Sequence, residues 1–295
     1  MIDISSIPNV RFKKTGSGYE FEVLKLADLF AQKDRLPIDL EQPHRVQFHN
    51  LFFITSGEGT HHIDFVPYRF RPGTLLFLAP GQVHSFDIQS GAEGYAVLFT
   101  TRFLEEKLIH SDIPSFSRLY NYHLHEPTLQ PHETDCEEFH ILFNEIAREY
   151  ERRSHFGAEE ILRLLLKVLL LKLERFKRTA VESRINTELL DRFHQFRDCL
   201  GKHCQQTRKV VAYAAMLKIS SKHLNTICKS VAGTTAKQCI DDFLILEVRR
   251  VLATSAGSVQ ELAYDFGFDE PTNFVKYFKK HTGQTPAQFR ALFTK

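Results

Sequence analysis

The sequence predicts an α+β protein: an antiparallel barrel or sandwich first, then a pair of helices, then an all-helical C-terminal part. Three observations predict it. Residues 19–100 hold short β-rich runs broken by Gly57, Gly59, Pro67, Pro72–Gly73 and Pro80–Gly81, the punctuation of strands joined by tight turns. Beyond residue 133 the apolar period lengthens to that of a helix, through Cys136, Phe139, Phe143, Ile146 and Tyr150. From about 187 onward, short apolar-periodic runs alternate with Ser, Thr, Gly and Pro, and one pattern occurs twice.

Bulk properties narrow the class. The chain has 295 residues, long enough for two domains, with 43% hydrophobic and 25% charged residues, as in ordinary soluble proteins. No basic start followed by an apolar run marks a secretory signal, and the most apolar stretch, "ILRLLLKVLLLKLERF", is interrupted by Arg163, Lys167 and Lys172. The five cysteines lack CxxC spacing and read as reduced thiols, so a cytoplasmic protein without a membrane partner is expected. Charge is unevenly divided: residues 1–185 carry a net −4 and residues 186–295 a net +6. A basic C-terminal part suits a polyanionic partner.

Taken in order, residues 1–18 form an arm with Ile2, Ile4, Ile7 and Phe12, apolar enough to dock reversibly. Residues 19–130 form the β domain. Strand alternation places Arg45, His49, Phe53 and Thr55 on one face, with His84 and Tyr95 supplied by later strands. An aromatic wall with a few polar groups suits a small ligand, such as a sugar or a carboxylated aromatic. Residues 131–178 form a helical dimerisation segment. Its second helix, about 158–177, has two stripes: Leu162, Leu166, Leu169, Leu173 and Phe176, and beside it Ile161, Leu164, Val168 and Leu171. A helix so widely apolar is covered on more than one side. The first stripe is assigned here to a homodimer. Polar residues 179–187 read as a linker, and 188–295 as a DNA-binding domain.

That assignment rests on the repeat. "VVAYAAMLKISSKHLNTICKSVAGTTA" (210–236) and "VQELAYDFGFDEPTNFVKYFKKHTGQTP" (259–286) align Ala214 with Ala263, Ile219 with Phe268, Leu224 with Phe274, Lys229 with Lys279 and Gly233 with Gly283. Each copy reads as a helix-turn-helix, with Phe268, Phe274 and Phe278 facing a small core. Gly267 ends the first helix of the second copy, Asp269 is the expected cap, and Pro271 opens the next helix. Residues 235–255 predict one long connecting helix. Two rigidly spaced modules can enter successive major-groove segments of a DNA duplex. The outward positions are Ser221, Lys222, Asn225 and Thr226 in the first copy, and Thr272, Asn273, Val275 and Lys276 in the second. Asn and Lys can read purine edges, and Val275 a thymine methyl. Lys229, Lys279 and Lys280 fall where phosphate contact is expected.

The stretch "VQELAYDFGFDEPTNFVKYFKKHTGQTPAQFR" resembles the second helix-turn-helix of the AraC/XylS family of bacterial transcription regulators; the first copy is a looser match. Lys218 stands where a glycine is frequent in the family's first turn, and Phe243 and Val248 where arginine and alanine are common. "SGEG", "FRPGTLLFLAPGQVHSF" and "GYAVLFT" resemble the family's cupin-like effector-binding domain. The resemblance implies a cupin-like barrel with a pocket and helices that pair two subunits. It also implies double-stranded promoter DNA and RNA polymerase as partners, and an effector-responsive activator.

Fifteen histidines invite a metal. Metal-binding cupins carry an H-x-H in the barrel, whereas "QFHN" around His49 has none. His61 and His62 are adjacent and so point to opposite faces, and "HLH" at 123–125 follows the apparent barrel. No catalytic constellation emerges, so neither a metal, a cofactor nor an enzymatic role is expected. A metal-dependent cupin enzyme with a helical tail, and a constitutive DNA-binding protein, remain the alternatives.

Overall fold

A computed structural model describes residues 9–12, 19–32, 35, 38–87, 91–105, 126–177, 187–255 and 257–293. Arm residues Ile2, Ile4 and Ile7, the "HLH" at 123–125 and linker residues 179–186 lie outside them. The described residues fall into two compact units, one within 8–179 and one within 180–295.

The first unit has three layers. Its elements are β1 (Asn9–Val10), β2 (Phe21–Lys25), α1 (Leu26–Ala31), β3 (His44–Val46), β4 (His49–Ser56), β5 (Gly59–Ile63), β6 (Val66–Phe70), β7 (Leu75–Leu78), β8 (Val83–Phe86), β9 (Glu93–Phe99), α2 (Thr101–Glu105), β10 (Thr128–Leu129), α3 (Glu133–Glu151) and α4 (Ala158–Lys177). One five-stranded sheet runs β1-β3-β8-β5-β6 and the other β10-β7-β4-β9-β2. Among the described strands all pairings are antiparallel except β1 with β3. Val46, Ile63, Phe70 and Phe86 of the first sheet meet Phe52, Ile54, Leu76, Leu78 and Ala96 of the second in a core between the sheets. The back of the second sheet, through Leu51, Phe53, Phe77, Val97 and Phe99, packs on Phe139, Phe143 and Ile146 of α3 and on α4. The central strands are thus buried on both faces. That explains the unbroken apolar runs "LFFI" and "LLFL", since each buried Leu or Phe contributes about 1.5–3 kcal/mol.

The helical pair corrects one expectation. Leu162, Leu166, Leu169 and Leu173 are fully buried in the core against the sheet, and Phe176 packs against it. The stripe assigned to a homodimer therefore lies inside the subunit, because α3 and the sheet together cover it. The neighbouring stripe is the open one: Ile161 is 43% exposed, Leu164 54%, Val168 42% and Leu171 45%. Arg163 tolerates burial because its guanidinium donates to the Phe103 carbonyl (3.0 Å) and to Glu159 (2.7 Å) and Glu160 (3.1 Å).

The second unit contains α5 (Thr187–His203), α6 (Val210–Met216), α7 (Ser221–Ala232), α8 (Ala236–Thr254), α9 (Val259–Asp265), α10 (Pro271–Thr282) and α11 (Pro286–Ala291). Both copies close their turns alike. Ile219 N–H donates to the Ala214 carbonyl at 3.0 Å, and Phe268 N–H to that of Ala263 at 2.9 Å. This is the capping bond that a left-handed residue makes possible. The left-handed residue is Lys218 (φ 56°) in the first copy and Gly267 (φ 69°) in the second. Ala214 and Ala263 are buried at the close approach of the helices, as their small size allows. Asp269 is not the cap. The N-cap of α10 is Glu270, which makes no side-chain capping bond, and Pro271 opens the helix because it has no N–H to satisfy. The predicted connecting helix is α8, whose N-cap Thr235 accepts a bond from Gln238 N–H at 3.2 Å.

Candidate nucleic-acid interface and buried histidine cluster

The helices α7 and α10 bury equivalent positions. Leu224 and Cys228 in one, and Phe274 and Phe278 in the other, face the core. The opposite rows are exposed in register: Lys222, His223, Thr226, Lys229 and Ser230 against Thr272, Asn273, Lys276, Lys279 and Lys280. Of the residues proposed from sequence, Lys222, Thr226, Lys229, Thr272, Asn273, Lys276, Lys279 and Lys280 lie in these rows. Ser221 and Val275 are half-buried at their edge.

Asn225 has a different occupation. Its Nδ2 donates to the Ser221 carbonyl (3.1 Å), and its Oδ1 accepts from Ala236 N–H (3.0 Å). The side chain thus holds the start of α8 against α7, and both ends of its amide are engaged within the fold. His223, by contrast, was not singled out by the sequence pattern, although it is the exposed counterpart of Asn273. The 50-residue register of the repeat was the signal that could have found it.

The six pocket candidates do not come together. Gln47 and Phe48 bend the chain between β3 and β4, so Arg45 belongs to one sheet and His49, Phe53 and Thr55 to the other. His49 and Phe53 then face the helices rather than the space between the sheets. His49 stacks on Phe99 (5.1 Å) and its Nε2 lies 3.1 Å from Thr101 Oγ1. Phe53 stacks on Phe143 at 5.0 Å, and Tyr95 beside it bonds Asn144 through its hydroxyl. Thr55 sits half-buried at the bulge of β4, and Arg45 is half-buried in β3.

Only His84 of the six faces the inner core. It stands with His44 and His61 among Phe52 and Phe86. His61 Nε2 and His84 Nδ1 are 2.9 Å apart, and His44 Nδ1 lies 3.1 Å from the Gln42 carbonyl. Burial disfavours the imidazolium of all three, lowering His61 to about 3, His84 well below its usual value, and His44 in the same direction. His61 Nδ1 and His84 Nε2 have no protein partner. In a pair of neutral imidazoles sharing one proton-mediated bond, either tautomer leaves one donor and one acceptor. That combination matches a hydroxyl group and mismatches a carboxylate. Among the described residues no group of three or more His, Cys, Asp or Glu side chains is placed to hold a metal. A cavity of about 460 Å³ lies at the arm, lined by Arg11, Phe12, Glu20, Gln47 and Thr100. There Phe12 meets Phe48 of the inner core edge to face at 5.6 Å.

Comparison with known proteins completes this picture. Residues 213–292 match a family described as "Helix-turn-helix domain", and residues 26–166 one described as "AraC-like ligand binding domain". The arabinose operon regulatory protein of Escherichia coli K12 is 21% identical over 280 residues, covering 93% of this chain and 91% of the relative. The HTH-type transcriptional activator RhaR of Salmonella typhi is 23% identical over 262 residues, covering 88% and 90%. Among solved structures, ToxT from Vibrio cholerae O395 covers 93% of this chain and 98% of its own, at 14% identity and a TM-score of 0.44. The chain belongs to the AraC/XylS family of transcription regulators, and is a DNA-binding, effector-responsive regulator with a cupin-like domain ahead of its helix-turn-helix region. No described helix is long and apolar enough to cross a membrane.

Proposed function

We propose that this regulator is a cytoplasmic, homodimeric transcription activator whose α7 and α10 enter successive major-groove segments of promoter DNA. The observation that carries the reading is the pair of exposed rows, Lys222–His223–Thr226–Lys229 and Thr272–Asn273–Lys276–Lys279, presented in register from two modules on one connecting helix. Lys222, His223, Thr226, Thr272, Asn273 and Lys276 face base edges, with Val275 against a thymine methyl; Lys229, Lys279 and Lys280 meet phosphates. Ser221 lies at the rim, and Asn225 acts by positioning α7. The partner subunit covers Ile161, Leu164, Val168 and Leu171, and RNA polymerase is the partner of the DNA-bound dimer. The relatives named as activators support the direction of control.

The effector binds at the buried histidine cluster, using His61 and His84. It is a neutral molecule bearing hydroxyl groups, because charged ligands find no counter-charge in three neutral imidazoles. Binding shifts the population of DNA-competent conformations. The test is footprinting on DNA upstream of the regulator's own gene, with and without a panel of neutral polyols and phenols. Two protected major-groove segments about 10 base pairs apart per subunit are expected, with protection that changes on ligand addition. A single protected segment would refute the two-module reading, and ligand-independent protection would refute the sensing role.

A further inference from the structure

Two separate links fix the second helix-turn-helix. The first runs to the connecting helix: the Tyr277 hydroxyl donates to Asp241 of α8 at 2.7 Å, Arg249 lies over the Phe289 ring at 5.2 Å, and Arg290 Nε lies 3.4 Å from the Leu252 carbonyl. The second bypasses α8. It comes from the segment between α5 and α6, which leads into the first module. There Arg208 Nη2 donates to the Gly267 carbonyl at 3.1 Å while its guanidinium sits 3.8 Å from the centre of the Phe268 ring. Gly267 and Phe268 form the turn of the second module. The approach is close: a Cβ on Gly267 would stand 2.5 Å from the Gln205 carbonyl oxygen.

The segment is itself anchored. The Tyr213 hydroxyl donates to the Thr207 carbonyl at 2.9 Å, and the Tyr213 ring, fully buried, packs edge-on against Phe196 at 5.7 Å. The chemistry suits a latch. The Gly267 carbonyl lies just beyond the C-terminal end of α9, where the helix leaves partial negative charge, and Arg208 meets it with a charge-assisted bond. The same planar fork stacks on the Phe268 ring, which an ammonium cannot do while also reaching the carbonyl.

We propose that Arg208 is a positioning residue that latches the first module onto the turn of the second, and thereby sets the spacing of the two DNA segments the protein accepts. The inference rests on the two-segment reading above. The contacts to α8 come from α10 and α11, and none of them holds the turn between α9 and α10. Arg208 adds an attachment at that turn, independent of α8.

The test uses the full chain and duplexes selected by the wild-type protein from a random pool. Arg208→Ala should bind a selected two-segment duplex about tenfold more weakly, and a duplex with one segment scrambled within about twofold of wild type, since only simultaneous engagement needs the fixed spacing. One base pair inserted between the segments should penalise the variant less than the wild type. Gly267→Ala, whose added Cβ must displace Gln205, should give the same pattern, and it replaces Arg208→Ala if that variant does not fold. Equal weakening on both duplexes, or no weakening on either, would overturn the latch. A DNA-free readout separates the two claims. Spin labels on non-cysteine unnatural residues at positions 230 and 280 should show one narrow distance in wild type and a broader distribution in Arg208→Ala. Unchanged width sinks the latch. Failure of the wild type to select any two-segment duplex sinks the two-segment reading, whatever the label distances show.

Discussion

In the first helix-turn-helix the left-handed turn residue is Lys218, followed by a serine cap, Ser220, that accepts a bond from His223 N–H; in the second it is Gly267, followed by Glu270 without a capping bond and by Pro271. The first module is tied into the connecting helix by a polar bond, Asn225 to Ala236 N–H, where the second has Val275. The second is tied to the same helix by the Tyr277 hydroxyl, which donates to Asp241, and adds ring pairs within itself: Phe268 and Phe274 pack at 5.2 Å, and Phe278 and Phe289 at 5.8 Å. The exposed rows differ too, with two lysines on α7 and three on α10. The lesson is that the motif requires positions to be filled, small at the helix approach, left-handed at the turn and apolar at the core, and leaves the means open. The first module fills the core with Leu224, Ile227 and Cys228, and the second with Phe274 and Phe278. On the proposed two-segment reading, the more basic second helix should contribute the larger share of the salt dependence of binding.

The contrast can be broken hardest at the cores. Phe274→Ala should cost about 3–5 kcal/mol and Leu224→Ala about 2–5 kcal/mol, because both side chains are fully buried and neither site can collapse far. Urea unfolding of the full chain measures this in the transition of the helical unit. Equal, small losses would mean that the modules tolerate cavities and that ring packing does not distinguish them. Next come the polar faces. Lys276→Ala should lose about 1–3 kcal/mol of discrimination at one base position. Lys279→Ala should weaken all duplexes alike and lower the salt slope of binding by about 0.9. Titrations at three salt concentrations on cognate and mutated duplexes distinguish them. Asn225→Ala should behave like neither. It leaves the Ala236 N–H without its partner, costing about 1–3 kcal/mol of stability, with base preference unchanged in a competitive selection. A shifted preference would return Asn225 to the DNA face.

Much of the fold was legible in the sequence. The helical periods gave α4 its observed limits, 158–177, and the repeat register placed Ala214, Ala263, Leu224, Phe274 and Phe278 in the cores. What failed did so for identifiable reasons. Alternation in "HNLFFITS" could not say which face held the ligand, because β4 is buried on both faces, and His49 and Phe53 went to the helices. The bend at Gln47–Phe48, which carries neither glycine nor proline, hid the change of sheet. Two apolar stripes on α4 are equivalent in sequence, and only packing decides that Leu162 and Leu166 are inside while Leu164 and Val168 are outside. The pattern puts Asn225 on the DNA face because a half-buried amide on an amphipathic helix reads as an exposed one. The histidine cluster needed three strands to be brought together from residues 44, 61 and 84.

The smallest effect gives the sharpest comparison of the two turns. Lys218 holds φ 56°, a conformation that brings an L-residue's Cβ against the carbonyl that follows and costs about 1–2 kcal/mol. Its side chain is exposed, so Lys218→Gly removes that penalty without opening a cavity. Against this, glycine makes the unfolded chain more flexible, a loss of about 0.5–1 kcal/mol. The net expectation is a gain of about 0.5–1 kcal/mol, read as a higher urea midpoint with unchanged slope. The second module already has its glycine, so no equivalent gain exists there. Gly267 also admits the Gln205 carbonyl, and any side chain at that position must lose stability. If Lys218→Gly lowered the midpoint, the lysine side chain would be holding the first turn by a contact that outweighs its backbone strain, and the two turns would differ in more than glycine.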